Sequence, residues 1–176
     1  KQILLEYGYE GFTISLLAAQ LNISRGALYK YFKNKEELII DFMIHEMSAF
    51  LDDLKNIHHY RDFTSQFHFL IDLIFQYSHI HQILSLSYHI PANRNKKIKR
   101  AKEELKSLHL HMYQSLQSFI RSGISEKKLK SHLPPGLILG FIFQSVEIPN
   151  HFGVPHHEWV ASMKEIISQG ICVNSD

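Results

Sequence analysis

Between Asn22 and Lys35 the chain sets Arg25, Lys30, Lys33 and Lys35 with no acidic residue among them, and Tyr29 and Tyr31 interleave. Long cations beside phenolic hydroxyls suit a phosphate polyanion, since cations displace its counterions and hydroxyls donate hydrogen bonds to its oxygens. Phosphate contacts hold register on a duplex, whereas contacts to base edges select sequence. Elsewhere in the first 48 residues Lys1 stands against Glu6, Glu10, Glu36, Glu37, Asp41 and Glu46, so the positive field is local. The whole chain carries 19 Lys and Arg against 17 Asp and Glu, a net charge of +2. That balance excludes a histone-like polycation, and any nucleic-acid binding must come from this tip.

Short, well-capped helices can position such a tip. Gly8 tolerates a left-handed backbone and reads as the stop of a first helix that carries Ile3, Leu4 and Tyr7. Thr13 caps a second helix with Leu17, Ala18 and Leu21 inward. Asn22 accepts positive φ at a tight turn. Ser24 then caps a short third helix through Leu28 to about Tyr31. Asn34 with Glu37 makes a capping box that opens a longer fourth helix. Two short helices joined this way form a helix-turn-helix, whose second helix enters a major groove.

The remaining chain spells longer helices with scarcely any strand-like alternation, which predicts an all-α protein. One helix is expected from Phe63 to about His81, and a shorter piece is expected to end near Tyr88. Another runs from Asn95 to about Arg121, followed by a polar link at Gly123, Glu126, Lys127 and Lys128. Pro134 and Pro135 open a helix to Val146 or beyond, and a last helix follows Pro155. Residues 1–48 are read as a DNA-binding domain and 49–176 as a larger helical domain. Cys172 is the lone cysteine among 176 residues, which excludes a disulfide framework within the chain and a cysteine zinc cage. The apolar run Leu137–Phe143 is far short of the about 20 residues a spanning helix needs. With no secretory signal in view, a soluble cytoplasmic protein with no membrane partner is expected.

The stretch Gly8-Tyr9, Thr13, Leu17-Ala18, Asn22-Ile23-Ser24, Gly26 to Phe32 and Lys35 to Leu38 resembles the DNA-binding domain of TetR-family transcriptional regulators. The resemblance covers Ile3 to about Leu38, and beyond it only the plan of long helices is shared. It implies an all-α homodimer, not an enzyme, whose second domain takes a small effector and shifts the DNA-reading heads. Position by position it implies a helix-capping, phosphate-facing Thr13, and a DNA-contacting Ser15. Arg25 and Ala27 are implied at the bases, with Gly26 letting the backbone come close. Tyr29 and Lys35 are implied on phosphate. Ser24, Lys30 and Tyr31 complete the expected DNA surface. Tyr31 departs from the family's common histidine, Asn22 from a glycine and Phe12 from a threonine, so a pH-sensitive contact at Tyr31 is lost. The family's first helix begins earlier, which implies further residues before Lys1.

Dimerisation is expected through the last two long helices. Leu137 to Phe143 is apolar nearly all round, and Leu137 and Phe141 on one helix face Trp159, Met163, Ile166 and Ile167 on the other. An effector site is expected among the central helices. Phe67, Ile71, Phe75, Met112, Leu116 and Ile142 are its apolar wall, and Tyr77, His109, Gln144 and Glu147 its polar anchors. Glu147 is read as partly buried. Thirteen histidines raise a rival, a helical metal-binding protein or enzyme. His79 with His81 and His109 with His111 point about 200° apart on a helix, however, and no metal or other cofactor is expected. The run Arg94, Lys96, Lys97, Lys99, Arg100, Lys102 and Lys106 reads mainly as a solvated face with Lys99–Glu103 and Arg100–Glu104 pairs, and secondarily as a surface that attracts DNA or an anionic effector. A further rival is an activator of the same family controlled by a protein partner. The favoured reading is a repressor on a pseudo-palindromic double-stranded operator, released by a small hydrophobic or amphipathic effector.

Overall fold

A computed structural model describes residues 1–85, 89–91 and 95–173, with the backbone alone at 81, 82 and 85. Arg94 and the helix end expected near Tyr88 lie outside the described residues. The fold is all-α: α1 (Gln2–Gly11), α2 (Ile14–Gln20), α3 (Arg25–Tyr29), α4 (Lys35–Leu54), α5 (Phe63–Gln76), α6 (His79–Ser85), α7 (Lys96–Ser125), α8 (Pro135–Ser145) and α9 (His156–Ile171). A 3₁₀ turn, Lys55–His59, follows α4. An antiparallel bridge joins Leu129 to Cys172 outside the helices. No helix of the described residues is long and apolar enough to cross a membrane.

The chain divides into two compact units that are not colinear with the sequence. The first holds residues 1–49 and 79–109, the second 50–78 and 110–176. In the first unit α1 packs on α6. Ile39, Ile40, Met43, Met47, Ile83, Ile90 and Ile98 make its core, each at most 1% exposed. In the second unit α5, α8 and α9 pack on one another, around Phe67, Leu70, Ile71, Leu116, Leu139, Ile142 and Ile167.

Several element ends differ from expectation for identifiable reasons. Gly8 breaks the first helix as expected, at φ 64° and ψ −172°, but a further helical turn to Gly11 follows it. The helix opened by Phe63 stops at Gln76 rather than His81: the Tyr77 N–H still makes the last helical bond, to the Leu73 carbonyl, but the Tyr77 backbone itself leaves helical geometry at φ −98° and ψ 17°. The Tyr77 hydroxyl meanwhile donates to Asp53 Oδ2 at 2.7 Å, and its ring meets Phe50 edge-on. Apolar spacing continues across that break through Ile80 and Ile83, so periodicity alone ran the two helices together.

Gly123 is not a linker residue but lies within α7. A Cβ there would sit 2.3 Å from Phe63 Cζ, and the Phe63 ring is itself stacked on Phe67 and Phe119. The turn after α7 is made by Lys127, at φ 58°, with the Lys128 and Leu129 N–H groups both donating to the Gly123 carbonyl. Glu147 is exposed just after α8, not partly buried. The buried polar group of α8 is Ser145, whose hydroxyl donates to the Ile142 carbonyl at 2.6 Å. Gly123→Ala should cost about 1–3 kcal/mol by overpacking. Chemical denaturation reads that loss, and Phe63→Leu in the same chain should recover part of it by shortening the opposing side chain.

Candidate nucleic-acid interface

Local chemistry places each expected contact. Thr13 Oγ1 accepts the Leu16 N–H at 3.1 Å and starts α2. Ser24 Oγ accepts the Ala27 N–H at 3.1 Å and starts α3. Asn22 turns the chain between them at φ 53°. Ile14 and Ala18 of α2 and Leu28 of α3 form a small buried cluster with Leu17 packed against it. Closing that cluster leaves Ser15, Arg25, Gly26, Tyr29, Lys30 and Tyr31 on the outside. Tyr29 is 53% and Tyr31 74% exposed, an unusual state for large aromatic side chains that leaves both hydroxyls available. Arg25 Nη1 reaches Ser15 Oγ at 3.5 Å, a long contact that brings the starts of α2 and α3 together. A Cβ built on Gly26 would meet only Ser24 Oγ at 3.9 Å. The protein's own packing therefore does not require glycine there, and open space remains for another backbone to approach.

Lys35 is half-buried. Its ammonium donates to the Tyr9 carbonyl at 2.8 Å and sits 4.2 Å over the Tyr9 ring. An ammonium has three donors, so this contact aims Lys35 while leaving two for a phosphate. The Tyr9 hydroxyl in turn donates to Glu36 Oε1 at 3.2 Å.

Two acids of the first turn of α4 are buried here: Glu36 is 5% and Glu37 2% exposed. The Asn34 cap forms, with Oδ1 accepting the Glu37 N–H at 2.9 Å. The return bond of the expected capping box does not come from Asn34. Glu37 Oε2 accepts the Lys33 N–H at 3.2 Å instead. The same carboxylate accepts from Asn95 Nδ2 at 3.2 Å and from Lys97 Nζ at 3.1 Å. Burial pushes its pKa up, but the Lys33 N–H, Lys97 and Asn95 together outweigh burial and hold it below the ordinary carboxylate range. The one sequence signal for this role was a glutamate in the first turn of a helix, which is too common to be informative.

In the second unit, the proposed wall residues Phe67, Ile71, Phe75, Met112, Leu116 and Ile142 are all buried. Tyr77 is half-buried, and Gln144 and Glu147 are exposed. His109, in the first unit, is exposed too. An open groove of about 590 Å³ on the second unit is lined by one of the proposed wall residues, Phe75, with Val160, Ala161, His156, His157 and the Asp72–Lys164 ion pair. Of the residues read as a dimer stripe, Leu137, Phe141 and Ile166 are exposed at 60%, 47% and 58%. Trp159 is half-buried. Met163 and Ile167 instead face the core of their own chain, at 6% and 0%. On α9 they share the face that packs on α5 and α8, so helical spacing grouped two faces as one. His79 Nε2 meets Glu46 Oε2 at 2.5 Å. Among the described residues no three His, Cys, Asp or Glu side chains gather as a metal site.

Residues 1–42 match the family model for bacterial regulatory proteins of the tetR family. The fatty acid metabolism regulator protein of Bacillus subtilis (strain 168) is 32% identical over 54 residues, 31% of this chain. The match spans 28% of that relative's length. Over nearly the whole chain the fold is that of the ketosteroid transcriptional regulator KstR2 of Mycobacterium tuberculosis, with TM-score 0.71 and 18% identity, covering 98% of this chain and 91% of that one. It is also that of the regulator FadR from Bacillus subtilis, solved in complex with stearoyl-CoA, with TM-score 0.66 and 20% identity, covering 97% and 94%.

Because the folded pKa of Glu37 lies below its unfolded value, the carboxylate adds stability above about pH 4.5, and that contribution fades as pH falls through the folded value. Wild-type protein should therefore lose stability on acidification from pH 6 to pH 3.5 more steeply than Glu37→Gln. Urea midpoints across that range would show it, and parallel curves for the two proteins would contradict it.

Proposed function

We propose that this TetR-family transcriptional regulator is a cytoplasmic repressor. It binds a pseudo-palindromic operator as a homodimer and leaves it when a small hydrophobic or amphipathic effector binds residues 49–176. The observation that carries the reading is the exposed face of α2 and α3. There Thr13, Ser15, Arg25, Gly26, Tyr29, Lys30 and Tyr31 lie outside a buried Ile14–Ala18–Leu28 cluster, with no acid among them. Arg25 and Ala27 face bases, Gly26 admits the DNA backbone, and Thr13, Ser15, Ser24, Tyr29, Lys30, Tyr31 and Lys35 hold phosphates. A two-fold operator asks for a two-fold protein. The exposed Leu137 and Phe141 of α8 and Ile166 of α9, with Trp159 beside them, supply an apolar face for a second copy.

The effector proposal draws support from the apolar make-up of α5, α7 and α8, whose Phe67, Ile71, Phe75, Met112, Leu116 and Ile142 would take a hydrocarbon portion. Tyr77, Gln144 and Glu147 are the polar anchors for a head group. His109, the remaining anchor read from sequence, belongs to the other unit and is left out of the proposed site. The fatty-acid regulator relative and the FadR structure with stearoyl-CoA make long-chain acyl compounds the first class to try. Any such compound must bind one of two head arrangements better, since equal affinity shifts nothing.

Arg25→Ala should relax sequence preference, costing about 1–3 kcal/mol on a selected operator and little on random DNA. Tyr29→Phe should weaken both alike. Gel shifts on the two duplexes separate these outcomes, and equal loss for Arg25→Ala would reassign it to phosphate. Stearoyl-CoA or a related acyl compound should lower operator affinity with a coupling of about 1–3 kcal/mol. Ile142→Trp should blunt that release while leaving DNA affinity intact. Unchanged release in this variant would remove the site from the α5–α7–α8 core.

A further inference from the structure

The cations at the start of α7 share a compact unit with the helix-turn-helix, although some sixty residues of sequence separate them. Glu37 makes the connection. Its carboxylate receives the Lys33 N–H, from the turn that leaves α3, together with Asn95 and Lys97 from the start of α7. Asn95 also caps α7, its Oδ1 accepting the Ile98 N–H at 2.8 Å. The Lys97 ammonium lies 5.9 Å from the Phe32 ring. Ile98 and Ala101 are buried and fix which side of α7 turns inward. Lys96, Lys99 and Arg100 are left exposed on the outer side, three and four residues apart.

Like charges at that spacing repel, and proteins usually answer them with nearby acids. The expected Lys99–Glu103 and Arg100–Glu104 pairs do not close. Among the described residues Lys96, Lys99 and Arg100 have no carboxylate partner. Their neighbours Lys97 and Lys102 are spent on Glu37 and on the Ile90 carbonyl. Three unanswered cations thus share one compact unit with Lys30 and Lys33, which are themselves exposed and flank the turn that Glu37 ties to the start of α7.

We propose that Lys96, Lys99 and Arg100 form a second phosphate-binding surface, which grips the DNA backbone in addition to the helix-turn-helix. Glu37 is the positioning residue that sets this surface beside the reading head. The proposal rests on the DNA-binding reading above. Continuity with that head favours DNA over a free anion, because a polyanion engaged by Lys30 and Lys33 extends past them, whereas a small anion does not.

The test uses the whole chain and a duplex selected from a random pool by wild-type protein, titrated across a salt series. The K96Q/K99Q/R100Q variant should lower the slope of log affinity against log salt by about two to three, at about 0.9 per lost phosphate contact. The charge-preserving K96R/K99R/R100K should retain the wild-type slope. R121Q/K127Q/K128Q removes the same net charge from the other unit and should leave the slope unchanged. A wild-type slope in K96Q/K99Q/R100Q, or equal losses in both glutamine variants, overturns the proposal. If wild-type protein enriches no sequence and binds no duplex, the DNA-binding reading itself falls, and the two failures are thereby distinct.

Discussion

A helix of five residues cannot hold itself together in water, because nucleation fixes several residues for very few hydrogen bonds. The Arg25–Tyr29 segment is such a helix, and its place depends on Leu28 packing against Ile14 and Ala18. Burying one leucine is worth about 1.5–3 kcal/mol, a large part of what so small an element can draw on. Ser24 adds the end bond that one turn most lacks. With those two anchors made, every other side chain of the helix is free to face outward. The concentration of Arg25, Tyr29 and Lys30 on a single surface follows directly.

The same head buries two carboxylates, which is costly unless each is answered by donors. Tyr9 answers Glu36, while Lys33, Asn95 and Lys97 answer Glu37. These bonds are directional, whereas the apolar packing around Ile39, Ile40 and Met43 is not. They specify register where the core supplies cohesion, as a charged group with three donors in place has one low-energy arrangement. Lys35 belongs to the same arrangement through Tyr9, so its aim is set from behind rather than left to a flexible stem.

In the second unit the informative contrast lies among apolar residues. Ile138, Leu139 and Ile142 of α8 are at most 1% exposed, while Leu137 and Phe141 of the same helix stand in solvent. On α9, Met163 and Ile167 are buried and Ile166 is not. A helix with apolar groups on both faces satisfies one of them within its own chain and leaves the other exposed.

The caps at Thr13, Ser24 and Asn34, the positive φ of Asn22 and the Pro135 helix start were all legible in the sequence. They depend on a side chain and backbone groups within three or four positions, and such local chemistry is written in order along the chain. The all-α class was legible for a related reason, since apolar spacing reports on one helix at a time. Helix ends at Tyr77 and the role of Gly123 were not, because a phenol reaching Asp53 and a ring pressing on a glycine join residues far apart in sequence. Nor was the division of apolar α9 residues between core and surface, which is decided by where α5 and α8 lie. The joining of residues 79–109 to the helix-turn-helix belongs to the same class. Glu37 shows the limit most plainly. By sequence it is a first-turn acid of a capping box. Only the folded chain brings Asn95 and Lys97 to it, because a buried charge takes its partners from whatever segments the tertiary packing delivers.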